Sequence, residues 1–464
     1  MKHTSPTIFF IFFLFTHSFF SQTRALSMKE ALNLGLTNYG TIKAKTNYYH
    51  ASKASVQQAQ MDYLPNLVIS AQQDYGTING QNGPLYGFGG FGVASSGLPL
   101  ATQNWNAAFG ALYLANINWE FFSFGRSLAR IQIAKAQAER EEKDLAQEQF
   151  QHQVKVAAAY LNLLAAQLIT RSQQKNLERA LVFKSQATAR SKNGLSAGVD
   201  SSLAGAEVSG AKINLTKAKD LEQEQAMRLA VLLGITPTDF KLDSAFVSQL
   251  PAEIAATASV SEDLHPVLLY YKSRIKIATE QSKLFRRQYF PSLSLFGIIQ
   301  ERGSGFQAAY TLDQTAYTRD YATGVRPTRG NYLIGAGLNW NLTTLARNSR
   351  QVKSQHFISE GLQNEYDLAS QQIQAQVLLS DSKMKNALEN YKEAPLQVKA
   401  ATDAYNQKNA LYRNGLATMV DVTQTLYALN RAETDRDIAY SNVWQALLLK
   451  AAASGDLNLF IKEF

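Results

Sequence analysis

Lys192-Asn193-Gly194-Leu195, with Asp200 six past the glycine, returns in the second half of the chain as Arg413-Asn414-Gly415-Leu416, with Asp421 six past its glycine. Two other anchors repeat in the same order. Tyr63-Leu64-Pro65-Asn66-Leu67 recurs as Tyr289-Phe290-Pro291-Ser292-Leu293. Asn118-Trp119, with Arg126 seven after the tryptophan, recurs as Asn339-Trp340 and Arg347 at the same offset that separates the two glycine turns. The chain is therefore two copies of one unit, and its function lies in how those copies assemble.

Each anchor marks a change of structure. Pro65 ends a helix-like stretch from about Ser27 to Asp62, because proline disfavours helical geometry in the residue before it. Strand character follows from Leu67 to Tyr75, then a glycine-rich loop from about 76 to 104. Phe109, Ala111, Tyr113, Ala115, Ile117 and Trp119 then alternate with Gly110, Leu112, Leu114, Asn116 and Asn118, a period of two that means strand. The second copy supplies Leu293 to Gln300 and Tyr332 to Leu342, joined by a long loop over about 301 to 330. One face of Tyr332 to Leu342 is apolar with aromatic ends, and the other is small or amide-bearing. That pattern favours a strand of a membrane barrel over one of a soluble sandwich.

Long helical tracts follow each strand pair, from about Arg126 to Lys192 and from about Arg347 to Arg413. Leu362, Tyr366, Ala369, Ile373, Val377, Met384, Leu388 and Tyr391 step by threes, fours and one seven, the seam of a coiled coil. Pro395 predicts a kink or break in the second tract. Gly194 and Gly415 suit left-handed helix C-termini. Return helices are expected over about 201 to 233 and 422 to 453.

The duplication divides the chain into a signal peptide (1–21), a first repeat (22–234, strand pair 66–121), a connector (235–263), a second repeat (264–453, strand pair 292–343) and a tail (454–464). The signal peptide is read from Lys2 and the apolar run that ends at Phe20. Cysteine is absent from the 464 residues, so disulfides and thiolate metal sites are excluded. A net charge of +9 without a clustered basic face, Arg286-Arg287 being the one tight pair, argues against nucleic acid as a partner. Gly87 to Gly92 matches G-x-G-x-x-G only formally, since it precedes a strand rather than a helix. The six histidines are scattered, and no recognisable catalytic or metal motif appears. An enzyme is not expected, nor a cofactor.

Strands in lipid must close, and the four in one chain are too few for the smallest barrels. Several subunits must therefore pool their strands. The order and spacing of Tyr63-Leu64-Pro65, Asn118-Trp119, Tyr289-Phe290-Pro291, Asn339-Trp340 and the two Asn-Gly-Leu turns resemble the TolC-like outer-membrane efflux proteins, over about Leu26 to Ala453. The resemblance implies a mainly α fold with a transmembrane β-barrel: a homotrimer whose 12-stranded barrel joins a 12-helix periplasmic tube. Pro65, Trp119, Pro291 and Trp340 would then mark the junction of barrel and tunnel.

It further implies the exit duct of a tripartite efflux or type I secretion system. Its partners would be a periplasmic adaptor, an inner-membrane transporter and outer-membrane lipid. By this resemblance Asp200 and Asp421 line a periplasmic gate, Tyr412 donates to Asp200 across the hairpins, and Gln424 replaces a second acid. Ala417 stands where some relatives carry a tethering arginine. The turns at Asn193, Gly194, Leu195, Asn414, Gly415 and Leu416 would flank the adaptor-docking grooves. Two other readings come from the residues alone. Asp200 and Asp421 could serve as helix N-caps, and the chain could be an exported coiled-coil interaction protein without a channel.

Overall fold

A computed structural model describes residues 25–80, 98–236, 240–251 and 264–464. The signal peptide, the Gly87 to Gly92 run and most of the connector lie outside the described residues. In chain order the elements are α1 (Met28–Asn38), α2 (Gly40–Met61), β1 (Asn66–Thr77), β2 (Ala107–Phe122), α3 (Arg126–Lys192), α4 (Gly198–Leu233), α5 (Pro266–Arg287), β3 (Ser292–Ser304), α6 (Tyr321–Val325), β4 (Arg329–Asn339), α7 (Thr343–Arg413), α8 (Met419–Ser454) and α9 (Asn458–Ile461). They fall into two units. Of the described residues, one unit holds those within 1–43, 148–265 and 372–464, and the other those within 44–147 and 266–371.

Several boundaries differ from expectation, each for a local reason. The first helix is two: Tyr39 takes an extended conformation (φ −64°, ψ 123°) and separates α1 from α2. Pro395 lies inside α7, which runs unbroken from Thr343 to Arg413, so the expected break is absent. Proline removes one backbone donor from a helix of 71 residues, and the bonded turns on either side carry the helix through. β4 begins at Arg329 and stops at Asn339, which leaves Trp340 just past the strand. The loop expected after β3 is instead folded. β3 continues to Ser304, α6 follows, and Phe306, Tyr310 and Tyr317 form an aromatic cluster with Tyr310 buried.

In the second unit the strands form one antiparallel meander in the order β1-β2-β3-β4. The register pairs Ile69 with Ala115, Ala115 with Ile299, and Ile299 with Tyr332. Cross-strand partners share a face, so Leu67, Ile69, Ile117, Trp119, Leu293, Leu295, Ile334 and Leu338 all lie on one side. The opposite side carries Ser70, Gln72, Asp74, Asn116, Asn118, Gln300 and Asn331. On the apolar side α6 packs over the far end. Tyr113 Oη donates to Val325 O at 3.2 Å, and Tyr321 Oη donates to Gln73 Oε1 at 2.7 Å. Gly324 lies so close to Phe109 that an added Cβ would sit 2.7 Å from the Phe109 carbonyl, which holds this position to glycine.

The repeated Tyr-x-Pro and Asn-Trp anchors meet in the same unit. Trp119 Nε1 donates to Tyr63 O at 2.8 Å, and Trp340 Nε1 donates to Tyr289 O at 3.0 Å. Each indole satisfies a carbonyl two residues past the end of the preceding helix, in the turn that leads into the strand. Pro65 and Pro291 follow these carbonyls by two positions and turn the chain into β1 and β3.

The other unit holds the main core. Met28 and Leu32 of α1, Val156, Tyr160 and Leu164 of α3, and Val443, Trp444, Leu447 and Ala451 of α8 pack together with the connector residues Leu242 and Val247. Tyr160 Oη donates to Leu26 O at 2.7 Å, where Leu26 forms a parallel bridge with Leu242. Phe464 of the tail sits against Phe246 and Trp444, with ring centroids 4.6 and 5.3 Å away. The apolar stripe expected along α7 is its buried side, with Ala369, Ile373 and Met384 least exposed.

Candidate functional site at the helix hairpin tips

Both hairpin turns close with the same backbone device. Gly194 (φ 68°) and Gly415 (φ 76°) are left-handed. Leu195 N donates to Arg190 O at 2.8 Å and Gly194 N to Ser191 O at 3.1 Å. In the second turn Leu416 N donates to Leu411 O at 2.9 Å and Gly415 N to Tyr412 O at 3.0 Å. These paired bonds are a Schellman closure, which leaves Asn193, Leu195, Asn414 and Leu416 exposed at the turns.

The aspartates follow, and neither is an N-cap. Thr418 caps α8, and Asp421 is the third residue of that helix in a reciprocal capping box. Asp421 N donates to Thr418 Oγ1 at 3.2 Å, while Thr418 N and Oγ1 donate to Asp421 Oδ2 at 3.0 and 2.9 Å. The Thr418 backbone N–H first, then its hydroxyl, hold the Asp421 carboxyl below its ordinary range. Lys408 Nζ stands 3.7 Å from Asp421 Oδ1. Asp200 occupies the matching place in α4, but its cap residue is Ala197, which has no side-chain acceptor. The Asp200 carboxylate is thus left free of a capping box.

Tyr412 takes up that carboxylate: its Oη donates toward Asp200 Oδ2 at 3.5 Å, the long limit of a hydrogen bond. The tyrosine is buried between the hairpins with Phe183, Ala187, Ala204, Met419 and Val422. Burial, and then the Asp200 carboxylate, raise the Tyr412 phenol above its ordinary pKa, so it remains a donor at neutral pH. Arg190 lies over the Tyr412 ring, 5.3 Å from its centroid, and its Nη1 donates to Arg413 O at 2.6 Å. One guanidinium therefore stacks on the aromatic ring and caps the end of α7. Further along, Arg179 grips Glu433 with two bonds of 3.1 and 2.6 Å. Gln424 is exposed on α8.

The structure brings Tyr412 and Asp200 together, sets Asp421 beside Lys408 instead, and leaves Gln424 outside both contacts. Arg190, Arg179, Glu433 and Lys408 escaped the sequence reading, which looked for residues the copies share. Their signal was in what the copies do not share. The matching positions of the other copy hold Leu411, Ala400, Lys212 and Ala187.

The model of the family "Outer membrane efflux protein" matches residues 32–235. No curated protein matches the chain in sequence. Among solved structures, the fold is similar to that of the outer membrane protein VceC of Vibrio cholerae, at 16% identity and a TM-score of 0.71, over 92% of this chain and 96% of that one. It is similar to the CmeC outer membrane channel of Campylobacter jejuni, at 13% identity and a TM-score of 0.71, over 92% and 85%. The MtrE outer membrane channel of Neisseria gonorrhoeae, solved in its open state, matches at 16% identity and a TM-score of 0.69, over 92% and 89%. The family match over residues 32–235 and the shared fold bear out the resemblance to TolC-like outer-membrane efflux proteins.

Proposed function

We propose that the chain is the passive exit duct of a tripartite efflux or type I secretion system. Three copies pool their sheets into a 12-stranded barrel in the outer membrane, and their helices form a periplasmic tube that opens and closes at the hairpin tips. The observation that carries this reading is the sheet. It has four strands, an apolar face on which Ile69, Tyr332 and Ile334 are each about 80% exposed, and two outer strands without neighbours among the described residues. In lipid those free edges leave backbone donors and acceptors unsatisfied, and closure with further copies is the remedy. No helix among the described residues is long and apolar enough to cross a membrane.

A gate at the tips is supported by Tyr412, Asp200 and Arg190, which tie one hairpin to the other through bonds that can break without disturbing either turn. The exposed turns at Asn193 to Leu195 and Asn414 to Leu416 offer the docking edges for a periplasmic adaptor, and the adaptor couples the duct to an inner-membrane transporter. An open form is known for the similar MtrE channel, which fits a duct with more than one state.

The test is direct. Protein expressed with its signal should leave the outer membrane only with detergent, cross-link as trimers, and conduct ions across planar bilayers. A water-soluble monomer without ion flux would overturn the reading.

A further inference from the structure

The four strands carry five charged residues: Asp74, Glu120, Glu301, Arg302 and Arg329. Both arginines stand directly opposite one another in the β3–β4 register. They lie on the polar face, level with Leu112 and Gln72, near the end of the sheet remote from Pro65 and Pro291. Both are exposed. Like charges placed face to face across a strand pair weaken the sheet. Exchange of either arginine for a neutral amide would relieve the repulsion.

We propose that Arg302 and Arg329 form an anion-attracting ring inside the outer mouth of the duct, favouring passage of small anions and of organic solutes that carry carboxylate, sulfate or phosphate groups. The proposal rests on the duct reading, since only a closed barrel turns the polar face into a lumen. Three copies would bring six guanidiniums to one level of a confined, water-filled pore. Among the strand residues the opposing charge on the same face is Asp74, two residues further out along β1, which accepts from Gln72 Nε2 at 2.9 Å. Glu301 points to the opposite face, and Glu120 is tied to Arg126 at 2.5 Å at the other end of β2. Three Asp74 carboxylates offset half of the six positive charges, so the ring keeps a net positive charge. A pore lined by one sign of charge concentrates counter-ions and excludes co-ions. Guanidinium groups suit oxyanions in particular, because their paired donors match two oxygens of one group.

The experiment is the reversal potential of single channels in planar bilayers under a potassium chloride gradient. It compares the unaltered protein, the double variant R302Q/R329Q and the double variant R302K/R329K, all with unaltered tips. The chloride-to-potassium permeability ratio is expected to fall about threefold in the glutamine variant and to be retained in the lysine variant. Arg329→Gln alone should give an intermediate ratio, and serves if the double glutamine variant fails to assemble. Conductance with the same ratio in every variant would overturn the ring while leaving the duct intact. Absence of conductance in all of them would remove the duct reading, and this proposal with it.

Discussion

The two hairpin tips share a backbone and differ in chemistry. Gly194 and Gly415 take the same left-handed turn with the same pair of closing bonds. Around that shared frame nearly every polar contact is single. Thr418 makes a capping box where Ala197 cannot, Tyr412 stands where the first copy has Ser191, and Arg190 where the second has Leu411. Arg179 and Glu433 bind each other, while their counterparts Ala400 and Lys212 could form no ion pair. A duplicated fold thus supplies matching hairpins, and divergence between the copies supplies what holds one hairpin to the other.

That contrast can be broken at its strongest link. Arg179→Ala leaves Glu433 partly buried without its two charged bonds, and is expected to cost about 2 kcal/mol. Lys212→Ala, at the position matching Glu433, is expected to cost less than about 0.5 kcal/mol. Chemical unfolding of the detergent-solubilised protein compares the two, and equal losses would show that the asymmetry does not matter.

The buried histidines contribute a loss of stability in acid to the helical unit. Burial lowers the pKa of both His152 and His265 from the ordinary 6.5. Since the unfolded chain takes up these protons first, stability is fully present above about pH 6.5 and falls as the pH drops below it. His152 Nε2 bonds to Leu232 O at 2.9 Å, so it is the donor and Nδ1 is the bare nitrogen that an added proton would occupy. The denaturant midpoint should drop between pH 7.5 and 5.5, and His152→Gln should flatten that slope. A midpoint that rises on acidification would contradict the burial argument.

Thr418→Ala removes the cap found in only one copy and is expected to cost the first turn of α8 about 1 kcal/mol, a roughly fivefold loss of amide-exchange protection. Ala197→Thr tests the converse. It should build a second capping box that draws Asp200 toward α4 and away from Tyr412. Protection at the start of α4 would then rise, and the tie between the hairpins would loosen.

The mildest change concerns the long Tyr412–Asp200 contact. Tyr412→Phe and Asp200→Ala should each raise single-channel conductance, by at most about fivefold where a bond worth about 1 kcal/mol or less shifts an equilibrium between closed and open tips. Unchanged conductance in both would remove this contact from the gate and leave Arg190 and Arg179 as the holding residues.

Much of this molecule could be read locally. α3 runs from Arg126 to Lys192 as the sequence periodicity indicates, because its helix signals and its closing glycine act within a few residues of one another. The strands follow the alternation of β2 and β4 for the same reason. The folded segment after β3 escaped notice because its order depends on close backbone approach at Gly303, Gly305 and Gly324, which composition presents as an ordinary flexible loop. The proposed gate lay half in view. Tyr412 and Asp200 came from a family resemblance, whereas Arg190 and Arg179 could be recognised only once α3, α4, α7 and α8 stood side by side.

From the sequence alone came the duplication, the order of the long helices and strands, the left-handed turns and the alternating faces of the strands, all of which depend on residues close together along the chain. The tertiary structure decided the pairing of β2 with β3 across the two copies, the setting of Arg302 against Arg329, and the ties between hairpins. The reason is one of range. Backbone preference and periodicity act over a turn or two, while cross-strand register and side-chain pairing join residues far apart along the chain, and only folding brings those into reach.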